Sequence, residues 1–226
     1  MTGNVRTVVA KLARVYKPAP MLGDPLHIVL WENIGYLIDD ERRAALFAEF
    51  EARVGLSAAA IARAPRAVLI DIAKRGGMNP DTRVERWRAI AKIVIDEAEG
   101  DLRAALKAWA TAKARTLLKK FPAIGDPGAD KVLLFAGLDV RPALESNGVR
   151  TMLRLSLCVE GHSYAASYKA AVAALSAGGE GTKAWFITAY SVLRAHGQAL
   201  CKRAAPLCAA CPVDASCGHV RIKGQY

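Results

Sequence analysis

The sequence predicts an all-α protein. Apolar residues recur at helical spacing in segment after segment, alanine supplies much of a hydrophobic fraction of 53%, and no stretch alternates apolar with polar residues as a half-buried strand would. The 226 residues fit one large or two small domains, and the chain is apolar enough to bury a core. No internal repeat or low-complexity linker interrupts it. An excess of 32 Lys+Arg over 21 Asp+Glu, net charge +11, points to a polyanionic partner. No apolar run is long enough to span a bilayer, and Met1-Thr-Gly-Asn-Val-Arg6 lacks the apolar segment of a secretory signal. The expected location is the cytoplasm, with no membrane partner.

Taken in order, Val8–Tyr16 forms a short basic helix that the prolines after Lys17 end. Asp24-Pro25 opens a second helix, with Asp as cap and Pro in the first turn, and its apolar run extends from Leu26 to Ile38. A helix this apolar is buried, yet it carries Glu32, with Asp39 and Asp40 at its end; a buried carboxylate needs a partner or a task. Further helices are expected at 40–54, at 57–75 opened by Ser57, at 82–98 with Val84, Trp87, Ile90, Ile93 and Ile95 on one face, and at 101–109. At 117–134 one helix ends in Lys119 and Lys120, a turn follows through Ile124 and Gly125, and another helix starts near Gly128. Such a hairpin presents backbone N–H groups to an anion. A capped, cationic helix then begins around Glu145, Ser146 and Asn147, and helices at 163–176 and 182–200 follow.

The last segment carries four thiols at the spacing C-x6-C-x2-C-x5-C, namely Cys201, Cys208, Cys211 and Cys217. Four thiolates can complete the coordination of an iron–sulfur cluster or of zinc, and Pro206 and Pro212 keep the segment out of a regular helix. Ligand type alone does not separate the two. A disulfide pair is the plainer alternative. Cys158, in an apolar run, is expected to be a small buried hydrophobe.

The helix carrying His196-Gly197 just ahead of that cysteine spacing resembles the C-terminus of the endonuclease III, or helix-hairpin-helix, superfamily of DNA glycosylases. Phe121-Pro-Ala-Ile-Gly125 is similar to that family's hairpin, Leu-Pro-Gly-Val-Gly. The resemblance extends from about residue 24 to residue 217 and is weakest in the first half. It implies a 4Fe-4S cluster rather than zinc, and a two-lobed helix-hairpin-helix DNA glycosylase fold. Residues 25–137 would form a helical domain ending in the hairpin, and residues 1–24 plus 138–226 a cluster domain, with DNA in the cleft between. The hairpin residues Ile124, Gly125 and Gly128, with Lys119, Lys120, Lys131, Asn147, Lys202 and Arg203, would contact the backbone of double-stranded DNA containing a damaged or mispaired base. The protein would act as a monomer.

Family chemistry resides at three places. The lysine that attacks the sugar in strand-cutting members is replaced here by Pro127, which disfavours a Schiff base. The aspartate that stabilises the sugar cation corresponds to Glu145 by ungapped counting, or to Ser146 if the following helix is aligned instead. The glutamate that protonates the departing base in the adenine-removing branch corresponds to Glu32, which would need a raised pKa. Asp39 would face the same side, and Tyr36 stands where the family has a glutamine beside DNA. The expected function is therefore a monofunctional DNA glycosylase acting on an altered or mispaired base, purines included. The alternative is a DNA-binding protein that kept the scaffold and cluster but lost catalysis.

Overall fold

In the computed structural model, which describes residues 4–17 and 22–219, the described residues contain helices and no strand. They fall into two compact units, one spanning Leu22–Leu138 and the other combining the N-terminal segment with the chain from Asp139 onward.

The first unit holds eight helices: α2 (Pro25–Asn33), α3 (Asp40–Arg53), α4 (Ala58–Arg63), α5 (Arg66–Ala73), α6 (Pro80–Ala98), α7 (Leu102–Ala108), α8 (Thr111–Leu118) and α9 (Asp126–Ala136). Many starts are fixed by short polar side chains. Asp24 accepts from the N–H groups of Leu26 and His27, Ser57 from Ala60, and Asp101 from Ala104. The long helix α6 lies at the centre, with Trp87 wholly buried against Phe50 at a centroid distance of 4.7 Å. The indole N–H of Trp87 donates to the Asn33 carbonyl at 3.2 Å, which ties the end of α2 to α6.

Three sequence expectations change here. The helix expected over 57–75 is broken into α4 and α5 at Ala64-Pro65, because proline removes an N–H and drives the preceding residue extended; Ala64 has ψ 135°. On α6 the buried position is Val94, and Ile95 is exposed. The apolar helix α2 stops at Asn33 instead of continuing to Ile38. From there the chain turns outward, held by the Tyr36 N–H donating to the Gly76 carbonyl at 2.8 Å, with Leu37 in the left-handed region at φ 55°.

The second unit holds α1 (Val5–Val15), α10 (Ser146–Arg154), α11 (Tyr164–Gly178), α12 (Lys183–Ala199) and the cysteine loop. The helix α1 ends at Val15; Pro18 and Pro20, expected to end it, lie outside the described residues. Ser163 and Thr182 cap α11 and α12 through the N–H groups of Ala166 and Trp185. The start of α10 packs so closely on α12 that a Cβ at Gly197 would lie 2.7 Å from the Asn147 carbonyl oxygen. Only glycine permits that approach, which gives the His196-Gly197 pair a physical reason. Cys158 is half-buried rather than buried, and burial pushes its thiol up.

Candidate functional site

In the first unit Glu32 lies in the last turn of α2 and Lys131 in the middle of α9. They are 99 residues apart in sequence, yet the ammonium of Lys131 donates to Glu32 Oε1 at 2.5 Å. The lysine side chain is 7% exposed and the glutamate side chain 35%. Lys131 is thus buried against a carboxylate, contrary to the expectation that it contacts the DNA backbone. An opposite charge in hydrogen-bond contact favours the charged form of a carboxyl group, the reverse of what a proton donor to the base needs.

Asp39 does not share a face with Glu32. The chain has left the helix by then, and the Asp39 carboxylate accepts from the Arg42 N–H at 2.7 Å as the cap of α3. Tyr36 and Leu37 are exposed, and Met78 is exposed on the neighbouring loop. The sequence reading missed Met78 and Leu37; the signal available was an apolar residue between Gly77 and the helix-opening Asn79-Pro80. Buried Arg83 fastens this loop, donating to the carbonyls of Ala73 at 2.7 Å and Met78 at 2.9 Å. Burial lowers the pKa of that guanidinium, and the nearby charges of Arg86 and Arg43 act in the same direction.

The hairpin between α8 and α9 is tight. Ile124 is buried on Gly128, and Ala123 stands in the left-handed region at φ 60°. Gly125 is the N-cap of α9 and offers no side-chain cap to its first turn. The basic residues around it are held by acids: Lys119 and Arg115 each lie 3.2 Å from Asp126, and Lys120 lies 2.5 Å from Glu97. The two lysine pairs are exposed and therefore weak, so a phosphate can compete for the lysines.

In the second unit the helix after the hairpin begins at Ser146, and Glu145 is its N-cap. Glu145 Oε1 accepts from the Gly148 N–H at 2.8 Å, and Oε2 from the Asn147 amide at 2.7 Å. With two N–H donors on its two oxygens, the group is arranged as an acceptor, as a carboxylate is. Ser146 is exposed and does not cap. Asn147 passes the contact on. Its side-chain amide oxygen accepts from Arg150 at 2.7 Å, and Arg150 also donates to the Cys201 carbonyl at 2.9 Å and to the Gly197 carbonyl at 2.8 Å. Ser146, Asn147, Arg150, Gln198, Lys202 and Arg203 line an open polar pocket.

Cys201, Cys208, Cys211 and Cys217 line one cavity together with His196, Arg154 and Leu155, and none of them is in a disulfide. Arg154 clamps the loop by donating to the carbonyls of Lys202 at 2.7 Å and Arg203 at 3.0 Å. His196 bridges the Tyr16 hydroxyl, 3.0 Å from Nδ1, and the Cys211 sulfur, 3.7 Å from Nε2. Burial pushes the Cys211 thiol up, and the charges of Cys217 and Cys201 push the same way. Four thiols lining one cavity are the donor type that an iron–sulfur cluster takes once they are deprotonated. Among the described residues no group of three or more His, Cys, Asp or Glu is arranged to hold a metal ion. No helix among them is long and apolar enough to cross a membrane.

A helix–turn–helix corner at 118–126 and a cysteine-lined cavity in an all-helical chain define a class of fold that solved structures share. A trapped covalent endonuclease III–DNA intermediate, an estranged-adenine complex, aligns at TM-score 0.76 and 16% identity over 97% of each chain. A non-covalent endonuclease III–DNA complex aligns at 0.76 and 16% identity, over 98% of this chain and 97% of that one. A thermostable thymine-DNA glycosylase aligns at 0.75 and 15% identity, over 96% and 97%. The chain has the fold of endonuclease III. No family model and no curated relative matches its sequence.

Proposed function

We propose that the chain is a monofunctional DNA glycosylase of the endonuclease III type, which hydrolyses the bond between a damaged or mispaired base and its sugar in double-stranded DNA. The observation that carries this reading is Glu145. It is a carboxylate at the N-cap of the helix that follows the hairpin, on a fold aligned over almost its whole length with DNA-bound endonuclease III. There it would stabilise positive charge developing on the sugar as the base departs. Glu32 is the second acidic group, acting where the base or the attacking water is handled. Ser146 has no part in the charge chemistry on this reading. Pro127 supplies no amine, so water is the nucleophile.

The remaining surface fits the same task. Exposed Tyr36, Leu37 and Met78 are apolar side chains suited to fill the stack around an extruded nucleotide. The uncapped start of α9 at Gly125, with Lys119 and Lys120, and the pocket of Asn147, Lys202 and Arg203 are suited to phosphates. Cys201, Cys208, Cys211 and Cys217 would hold a 4Fe-4S cluster, which when bound cross-links the loop that Arg150 and Arg154 grip.

Purified protein should be brown, and incubation with oligonucleotides bearing a panel of damaged or mispaired bases should release a free base from at least one. Binding to all of them with release from none would favour a DNA-binding protein without catalysis. Colourless protein carrying stoichiometric zinc would replace the cluster.

A further inference from the structure

We infer that Lys131 is the positioning residue that keeps Glu32 a carboxylate, so that Glu32 takes a proton from the attacking water instead of giving one to the departing base. The assignment rests on the glycosylase reading of Glu32. Lys131 projects from α9 among residues as buried as Ala129, Val132 and Leu133, where an ammonium carries a desolvation penalty unless a partner meets it. Glu32 meets it at 2.5 Å and is itself 35% exposed, so the carboxylate that meets the buried cation stays partly open to solvent.

The other charged groups around α2 are engaged elsewhere. Arg43 on α3 donates to the Trp31 carbonyl, Arg83 on α6 to the carbonyls of Ala73 and Met78, and Arg103 on α7 is paired with Asp24. Asp130, next to Lys131, pairs with Arg115 on α8. A pair kept for stability alone is a weak reason for a buried lysine, since an apolar side chain of similar length packs there at no electrostatic cost. The same burial argues against Lys131 as a nucleophile, because an amine 7% exposed and bound to a carboxylate is out of reach of a sugar.

The step balances as follows. The water oxygen forms a bond to the anomeric carbon, its proton passes to Glu32, the carbon–nitrogen bond breaks, and that electron pair leaves on the base nitrogen, which takes its proton from solvent. Lys131 touches neither the base nor the sugar; it fixes the rotamer and the charge of the group that does the work.

Carbon-13 NMR of protein labelled at glutamate side-chain carboxyls tests this without a substrate, with the Glu32 signal assigned by its loss in Glu32→Gln. In the unaltered protein that signal should stay at its ionised position through the range in which exposed glutamates titrate. Lys131→Met should move its titration to higher pH, and Lys131→Arg should restore it. Base release in single turnover should fall about tenfold in Lys131→Met, with DNA affinity unchanged, and recover in Lys131→Arg. If Lys131→Met does not fold, Lys131→Gln, which keeps a neutral donor, should show the same displaced titration. An unmoved Glu32 titration alongside normal base release overturns the Lys131 assignment alone. No base release from any lesion by the unaltered protein, with the titration as predicted, overturns the glycosylase reading and with it the acceptor role.

Discussion

Glu32 rests against a charge and Glu145 against a helix end. The first meets the ammonium of Lys131 at 2.5 Å; the second takes the N–H of Gly148 at 2.8 Å and the amide of Asn147 at 2.7 Å. One is held by a full charge reaching across from another helix, the other by neutral donors belonging to its own first turn. Both surroundings suit an anion. The difference lies in what each depends on. Glu32 depends on packing between α2 and α9, elements far apart in sequence. Glu145 depends on local capping geometry and, through Asn147 and Arg150, on the cysteine loop. Damage to the loop should therefore reach Glu145 and leave the pair of Glu32 and Lys131 intact.

The largest expected effect comes from Glu145→Gln. The amide has one acceptor oxygen in place of two, so it keeps at most one of the contacts to Gly148 and Asn147 and loses the negative charge. Base release should fall about a hundredfold to a thousandfold, and thermal stability should drop by about 1 kcal/mol. Single-turnover kinetics and a denaturant titration read the two effects. A near-normal rate would shift the charge chemistry to Ser146 or remove it from this helix.

Gly197→Ala separates the two regions more sharply. Its Cβ would press on the Asn147 backbone at 2.7 Å, so α10 must shift away from α12. The expected destabilisation is about 2 kcal/mol, from strain of the overpacking kind. Hydrogen exchange should rise in α10 and α12 while α2 and α9 stay protected. Uniform loss of protection would mean that the two regions are not independent.

Arg150→Met cuts the link without a clash. It leaves the Asn147 side chain and the Gly197 carbonyl without their guanidinium donor, and base release should fall about tenfold by the loss of orientation. The Glu32 carboxyl signal should be unchanged in this variant. A change there would break the comparison.

Ala123→Gly is the smallest effect and carries the opposite sign. Ala123 sits at φ 60°, where the resembling hairpins have glycine. Relieving that strain should add about 1 kcal/mol to stability in a thermal melt, with DNA affinity and its salt dependence unaltered.

How much of this was legible in the sequence follows from the distance over which each feature is built. The caps at Asp24, Ser57, Asp101, Ser163 and Thr182 act on N–H groups two or three residues away, and short polar residues before apolar runs disclose them. The cysteine loop was legible because its spacing is local. Pro65 should have split the helix expected over 57–75 and was outweighed by the apolar period on either side. Asp39 was misplaced because hydrophobicity continues to Ile38 after helical geometry has ended at Asn33. The pairing of Lys131 with Glu32 could not be read at all, since nothing within 99 residues of sequence links them. Once the fold is known, a lone lysine among buried positions of α9 is the mark to look for.

The central claim of the proposed function is hydrolysis by water with no amine nucleophile. Borohydride present during turnover on the lesion that the panel identifies tests it most directly. The predicted result is a released base, an uncut strand that breaks only in hot alkali, and no covalent protein–DNA adduct. An adduct trapped in the unaltered protein and lost in Lys131→Met would contradict the claim, making Lys131 the nucleophile and Glu32 its partner.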